Sequence, residues 1–338
     1  MFKKICAISL SLLLAASIAG CSGESETQEE ASSENRLTKV TVAVNPFIGI
    51  APVYVAKDAG IFEKYGLDVD IVSFDDPSQA LSALISGNAD IAGTTLDSTV
   101  IIADQYRDDM PQIVSVSDES AGADGIIAKN SINSVADLKG KTVGVAINQT
   151  THFLLQQALE QAGISEDDLN LVDMTSSDAG AAFISGGLDA AVTWEPYLSN
   201  AVNAGVGKLI FSSADAPGSI MDVIVVSKET AAEKPAWVDA YLSALDEAEA
   251  YVLDESTTDN AMEITAKYLE VSKDEAAAML PTVKLYSRAE AAEALADGGI
   301  TGQTAGKISD FYTEKGIISA AVNADDIIDG SIAASQSE

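Results

Sequence analysis

Residues 135–164 read VADLKGKTVGVAINQTTHFLLQQALEQAGI, and this stretch decides the fold. Thr142–Ile147 is a short apolar run rich in β-branched residues, which predicts a strand buried on both faces. The apolar residues after Thr151 follow helical spacing, and Gly163 stands where a C-cap glycine is expected. The stretch therefore predicts a buried strand, a polar loop and a helix.

The polar loop Asn148–Thr151 joins this strand to the helix. Free backbone N–H groups and the helix dipole favour an anion at a helix N-terminus. An ordinary capped turn between a strand and a helix has the same composition. The loop alone therefore leaves a binding site and a structural turn both open.

The same arrangement occurs twice along the chain. Residues 40–45, VTVAVN, match residues 143–148, VGVAIN, and each set reads as a strand that ends in asparagine. A second pair follows in the same order, since residues 83–92, ALISGNADIA, match residues 182–191, AFISGGLDAA. Two α/β units with equivalent loops predict two lobes that face each other. In such sheets a ligand binds beyond the carboxyl ends of the strands.

Several of these motifs carry a family resemblance. They are residues 134–164, the two Ser-Gly-x-x-Asp turns, the segment Ala123–Lys129 and the sequence Trp194-Glu195-Pro196-Tyr197. Together they resemble the solute-binding proteins of ABC importers, in the nitrate, sulfonate and taurine class, to which thiamine-precursor binders are related. The resemblance covers roughly residues 38 to 320 and identifies the family better than the ligand.

The resemblance implies an α/β chain with the two-lobed periplasmic-binding-protein fold, type II. Each lobe is expected to be a mostly parallel sheet flanked by helices, with two crossovers between the lobes. The expected first lobe comprises residues 38–124 and 223–330, and the expected second lobe comprises residues 125–222. The resemblance also implies a small-molecule ligand, a permease and ATPase complex as partner, and a monomeric receptor.

The composition limits the class of partner. The 338 residues carry 52 acidic and 19 basic side chains, for a net charge of −33. So large a negative charge argues against nucleic acid as a partner. An anionic ligand is still compatible, because salt screens a distant field within about 8–10 Å.

The N-terminus predicts a lipoprotein signal. Lys3 and Lys4 precede an apolar run that is too short to span a membrane, and the segment closes on Ile18-Ala19-Gly20-Cys21. Residues 1–20 are the expected signal peptide, which resembles a bacterial lipobox and implies a lipid on the Cys21 thiol. Residues 21–37 read as a disordered tether. The protein is thus expected outside the cytoplasm, anchored to the cell membrane.

The sequence gives little support for an enzymatic function. His152 is the only histidine, and Cys21 is the only cysteine beyond the signal segment, so neither a Cys–His pair nor a zinc cluster is available. Neither a phosphate-binding P-loop nor a dinucleotide-binding glycine motif occurs. We expect no enzymatic activity, no cofactor and no metal.

The ligand contacts are predicted from the repeated loops. Arginine is scarce and absent from these loops, so an anionic group would be held by hydroxyls and backbone N–H groups. Aromatic side chains in such loops wall a pocket or belong to the core. Glu195 follows a buried strand, and Asp222 begins a strand similar to one where taurine-type members carry an acid for the ligand amine. The predicted contact residues are Asn45, Phe47, Thr94, Thr95, Asn148, Thr150, Thr151, Trp194, Glu195 and Asp222.

Two ligand classes stay open. The first class is an anionic or zwitterionic solute, which would use the hydroxyl-rich helix start. Examples are an aminosulfonate such as taurine, an alkanesulfonate or a nitrate-class anion, and any amine on the solute would face an acid. A heterocycle such as a thiamine pyrimidine precursor would use the aromatic residues. A surface sensor that presents its ligand to a receptor is the alternative to an importer component.

Overall fold

A computed structural model describes residues 37–335. The predicted signal peptide, the lipidation site Cys21 and residues 21–36 of the predicted tether lie outside the described residues. From residue 37 to residue 335, no helix has both the length and the apolar composition that crossing a membrane requires.

Strands and helices alternate through the first two thirds of this region, and helices dominate the last third. The strands are β1 Thr38–Val44, β2 Leu67–Ser73, β3 Ile91–Thr95, β4 Gln112–Ser120, β5 Asp124–Lys129, β6 Thr142–Val145, β7 Asn170–Asp173, β8 Ala190–Trp194, β9 Gly207–Ser212, β10 Met221–Val226 and β11 Val283–Leu285. The helices are α1 Ala51–Asp58, α2 Ile61–Lys64, α3 Pro77–Ile85, α4 Leu96–Gln105, α5 Thr150–Ala162, α6 Ser176–Ile184, α7 Tyr197–Asn203, α8 Lys228–Glu233, α9 Pro235–Leu253, α10 Thr258–Leu269, α11 Lys273–Met279, α12 Arg288–Leu295, α13 Ile300–Glu314, α14 Ala324–Ile327 and α15 Ser331–Ala334.

The strands form two sheets, and we call each sheet with its helices a lobe. The first lobe has the six-stranded order β11-β4-β10-β3-β1-β2. The second has the five-stranded order β7-β6-β8-β5-β9. The predicted two-lobed α/β fold with two crossovers is confirmed. The short strand β11 and helix α12 were not predicted, because three residues of strand leave almost no alternating pattern in a sequence.

Each sheet is mixed rather than mostly parallel, which corrects the prediction. In the first lobe β1 pairs in parallel with β2 and β3, whereas β10 is antiparallel to both β3 and β4. In the second lobe β5 is antiparallel to β8 and β9. The physical reason is the crossover, since β5 and β10 each enter their sheet from the opposite lobe.

Helices cover both faces of the second sheet. On one face Leu154, Leu155 and Leu159 of α5 pack in a cluster that includes Ile126 of β5. On the other face Phe183 of α6 packs in a cluster with the next strand residue, Ile127. Successive residues of a strand point to opposite faces, so β5 serves two cores at once.

Residues 135–164 fold largely as their sequence predicts. Strand β6 is buried over its last residues, and α5 ends at Gly163, whose φ of 66° is the left-handed C-cap conformation. The N-terminus differs, because Gln149 takes the N-cap position and no side chain caps α5 there. Asn148 itself adopts a left-handed φ of 64°. Its N–H donates to Nδ1 of His152 over 3.1 Å, so the first turn of α5 keeps N–H groups without a side-chain cap.

Candidate functional site

Three neighbouring strands of the first lobe place a row of polar residues at one edge of the sheet. Asp222 on β10 pairs with Thr95 on β3 in one direction and with Asp118 on β4 in the other. All three residues are buried, with exposed fractions of 6% for Thr95, 0% for Asp118 and 5% for Asp222. Two carboxyl groups and a hydroxyl therefore lie side by side in an apolar sheet.

The second lobe brings a matching row to the same place. Asp124, the first residue of β5, pairs with Trp194, the last residue of β8. Asp124 is 4% exposed. Thr150, the first residue of α5, is buried beside them and reaches the first lobe.

Residues from both rows line a small cavity between the lobes. Small-molecule sites are mostly apolar with a few polar groups, and this lining has that composition. None of the lining residues is a lysine or an arginine. They are Asn45, Phe47, Pro77, Thr95, Asp124, Thr150, Trp194, Ile220 and Asp222.

Burial makes the carboxyl groups of this region weak acids. It raises the pKa of Asp118 to about 7, with smaller contributions from Asp124 and Glu119. Burial likewise raises the pKa of Asp124 to about 7, and it raises the pKa of Asp222 well above its usual value. Removing carboxylates from water without a cation disfavours the charged form. The cavity is therefore suited to a group that brings positive charge or N–H donors.

Asp97 has a different role from the other acids. Its Oδ1 accepts a hydrogen bond from the Thr150 hydroxyl over 2.8 Å, and its Oδ2 accepts one from the Tyr312 hydroxyl over 3.0 Å. Asp97 lies in the first turn of α4, whereas Thr150 belongs to the second lobe. Both oxygens are used, so Asp97 joins the lobes.

Asp118 and Asp222 each keep an oxygen without a partner. Oδ1 of Asp118 and Oδ1 of Asp222 are buried and accept no hydrogen bond from the described residues. The Oδ2 of Asp118 accepts a bond from the Ser117 hydroxyl over 3.1 Å. Buried polar atoms without partners are rare in folded proteins, and the one on Asp222, which lines the cavity, can accept a hydrogen bond from a ligand.

A second contact joins the lobes outside the cavity. The ring of Phe311 on α13 lies 5.6 Å from the ring of Phe153 and 5.9 Å from that of His152. The Lys315 ammonium donates to the Glu166 carboxylate over 2.6 Å. These contacts between the α13 region of the first lobe and residues of the second lobe hold the two lobes against each other.

His152 supports this contact rather than chemistry. It is 2% exposed, and its Nε2 lies 3.3 Å from Glu166. Burial lowers the pKa of His152, the nearby Glu166 opposing that effect. Its Nδ1 accepts the N–H of Asn148, so the ring organises the start of α5.

The larger part of the predicted contact residues meets at the cavity. These side chains come from the loop after β1, the end of β3, the start of α5, the end of β8 and the start of β10. They are Asn45, Phe47, Thr95, Thr150, Trp194 and Asp222.

The other predicted contact residues lie elsewhere. Thr94 donates its hydroxyl to the Pro77 carbonyl over 2.9 Å, and the Thr151 hydroxyl is 3.1 Å from that of Ser176. Asn148 is exposed at the surface. Glu195 accepts bonds from the N–H and the hydroxyl of Ser199, and it lines a neighbouring groove rather than the cavity.

Sequence reasoning missed Asp118 and Asp124. Asp124 gave a signal, since it opens a strand of mostly apolar residues, whereas Asp118 stands in the polar run Ser117–Ser120 at the end of β4. Among so many acidic residues, that signal could be recognised only once the strands were paired.

Comparisons with known proteins agree with this geometry. Residues 48–257 match the family model described as NMT1/THI5 like. The chain is 28% identical to the taurine-binding periplasmic protein of Escherichia coli over 219 residues, which is 63% of this chain and 67% of that protein.

Two solved structures share the fold. The periplasmic aliphatic sulphonate binding protein of Escherichia coli aligns with a TM-score of 0.74 and 22% identity, over 85% of this chain and 91% of that chain. The periplasmic nitrate-binding protein of Synechocystis PCC 6803 aligns with a TM-score of 0.70 and 13% identity, over 88% of this chain and 87% of that one. The resemblance drawn from the sequence motifs is confirmed at the level of family and fold.

Proposed function

Because the chain belongs to the NMT1/THI5-like family, we propose that it is the extracytoplasmic substrate-binding component of an ABC importer. It captures a small solute between its lobes and delivers it to a permease and ATPase complex. The observation that carries the proposal is the cavity between the lobes, to which both lobes contribute buried polar side chains. It is a receptor and not an enzyme.

The solute we favour carries an amine at one end. Asp124 and Asp222 line the cavity without a basic residue beside them. An ammonium group relieves the cost of burying these carboxylates, because a buried charge is tolerated only when paired.

An acidic group at the other end of the solute has a place at α5. Helices α3, α4 and α6 are capped by the side chains of Asp76, Thr95 and Thr175. Helix α5 has no side-chain cap, and its first residue, Thr150, lines the cavity. A helix start with free N–H groups favours an anion. An aminosulfonate such as taurine satisfies both ends.

A nitrogen heterocycle is the second candidate. Phe47 and Trp194 line the same cavity as the acids, and flat rings stack favourably on aromatic side chains. A thiamine pyrimidine precursor with an exocyclic amine would use both features.

The attachment and the partners follow from the same proposal. The protein is anchored to the cell membrane through lipid on Cys21 and acts as a monomer. The proposed first lobe comprises residues 38–124 and 223–330, and the proposed second comprises residues 125–222. At these limits Asp124 begins β5 of the second sheet, and Asp222 lies in β10 of the first. The rival assignment, a surface sensor, would need the same cavity but no permease.

The test combines ligand identification with solution scattering. Mass spectrometry of the natively purified protein should reveal a small nitrogen-containing solute. Removing that solute and adding it back, or adding taurine, should reduce the radius of gyration as the lobes close. A radius that no aminosulfonate, alkanesulfonate, nitrate or aminopyrimidine changes would contradict the proposal.

A further inference from the structure

Asp118 and Asp222 form a pair of acids across two neighbouring strands. They are register partners on β4 and β10, and the register shifts directly after Asp222. Side chains opposite each other on antiparallel strands have Cβ atoms about 4.5–5.5 Å apart. Two ionised carboxylates at that separation repel each other, so a cation that bridges them would stabilise the ionised pair.

The protein itself supplies no such group from the described residues. The ionisable groups that interact electrostatically with these two acids are carboxyl groups and one phenol, and none of them is basic. Asp97 and Asp124 face Asp222, and Glu119 and Asp124 face Asp118. Beyond them lie Glu195, Tyr286 and Tyr312.

Asp118 packs closely against Gly49. A Cβ added at Gly49 would lie 2.3 Å from the Asp118 carboxyl carbon, so the glycine leaves just enough room for the carboxyl. Asp222 lines the cavity, and each acid has an Oδ1 without a partner. The open oxygen of Asp222 is therefore at the cavity, and Asp118 is its register partner on the neighbouring strand.

We propose that the basic group of the solute is a planar cation with several N–H donors, a guanidinium or an amidinium, which bridges Asp118 and Asp222. This inference rests on the proposed function and names the chemistry that the same site recognises. A guanidinium presents its donors in a fixed planar fork, whereas an ammonium is a point charge. A flat cation also lies favourably against the faces of Phe47 and Trp194, which line the cavity.

The experiment compares three ligands that share a sulfonate and differ at the other end. Taurine, guanidinoethanesulfonate and ethanesulfonate are titrated calorimetrically into the ligand-free protein at pH 8. The guanidino compound should bind roughly tenfold or more tightly than taurine, because two carboxylates share a planar donor set. Equal or tighter binding of taurine would overturn the inference.

Matched variants separate the two acids. Asp118→Asn should weaken the binding of guanidinoethanesulfonate by roughly tenfold more than the binding of taurine, whereas Asp222→Asn should weaken the binding of both ligands. Asp75→Asn, an exposed acid of the neighbouring groove, is the control and should change neither affinity. An Asp118→Asn variant with the same loss for both ligands, or with none, would contradict the bridge.

The two proposals fail in different ways. If taurine closes the protein and binds as well as the guanidino compound, the planar-cation inference is wrong and the receptor assignment stands. If none of these ligands, nitrate or an aminopyrimidine changes the radius of gyration, the receptor assignment fails and the inference fails with it. Melting curves of each variant identify any loss of affinity that comes from unfolding.

Discussion

The hydroxyl of Thr150, at the start of α5, donates a hydrogen bond to Oδ1 of Asp97 over 2.8 Å and so joins the two lobes. Asp97 is buried, and Tyr312 of α13 satisfies its other oxygen. The bond exists only while the lobes are together. Closure of the two lobes therefore involves Thr150, which also lines the cavity.

Thr150→Val should weaken ligand binding by roughly fivefold to a hundredfold. The substitution keeps the shape but leaves a buried carboxyl oxygen with one donor fewer, which costs about 1–3 kcal/mol in the closed form. Calorimetry should show the loss, and scattering should show a larger mean radius at a given ligand concentration. Thr313→Val, an exposed threonine on α13, is the control. Equal affinities in the two variants would show that the Thr150 bond does not contribute to closure.

The pH dependence of stability is predicted from the buried acids. The pKa of Asp118 rises from about 4 in the unfolded chain to about 7 in the folded protein. Between those values the folded state holds a proton that the unfolded state has released, so stability falls as pH rises from 4 to 7. The contributing neighbours are Glu119, Asp124, Asp222 and, through Asp222, Asp97.

Asp118→Asn tests this linkage in the ligand-free protein. The amide carries no charge and can donate to Asp222, so the melting temperature should rise by a few degrees at pH 8, and the rise should shrink steadily as the pH is lowered to 4. Asp75→Asn should leave the pH profile unchanged. A variant that is less stable than the parent protein at pH 8 would contradict the pH assignment.

The ion pair between Lys315 and Glu166 should contribute little to closure. Its side chains are 35% and 25% exposed, and a partly exposed pair is worth about 0–1 kcal/mol. Lys315→Met should therefore change affinity by less than roughly fivefold, and the change should shrink in high salt. A loss above tenfold that persists at 1 M salt, roughly a 3 Å screening length, would mean that this pair is the main latch.

Lipid attachment is predicted at Cys21. Cys21→Ser should release the protein into the medium or leave it unprocessed. Intact-mass analysis of the parent protein should show acyl chains on Cys21. An unmodified Cys21, together with a variant that stays on the membrane, would contradict the anchor.

The sequence was informative wherever one strand, one loop and one helix followed each other. The strand predicted over Thr142–Ile147, observed as β6 over Thr142–Val145, and helix α5 with its C-cap Gly163 were found because β-branched runs, helical spacing and glycine act locally. The internal repeat extended this to a second lobe. Sheet direction was not local, since β5 and β10 run antiparallel only because the chain crosses between lobes.

The candidate site was predictable in part for the same reason. Thr95, Thr150 and Asp222 stand at strand or helix ends, where a ligand of a two-lobed protein is expected. Asp118 became significant only when the pairing of β4 with β10 placed it opposite Asp222. Thr94 and Thr151, next to cavity residues in sequence, point into the structure and bond to Pro77 and Ser176. The orientation of adjacent residues is a tertiary property that composition does not reveal.

The central claim is that a buried carboxyl group at Asp222 selects a solute with a basic nitrogen. The most direct measurement is a pair of calorimetric titrations with taurine and with ethanesulfonate, which has the same two-carbon chain and no amine. Taurine should bind more tightly, and Asp222→Ala should weaken taurine by well over tenfold, since an unpaired buried charge costs about 2–5 kcal/mol. Ethanesulfonate that binds as tightly as taurine, or an Asp222→Ala variant with unchanged affinity for taurine, would contradict the claim.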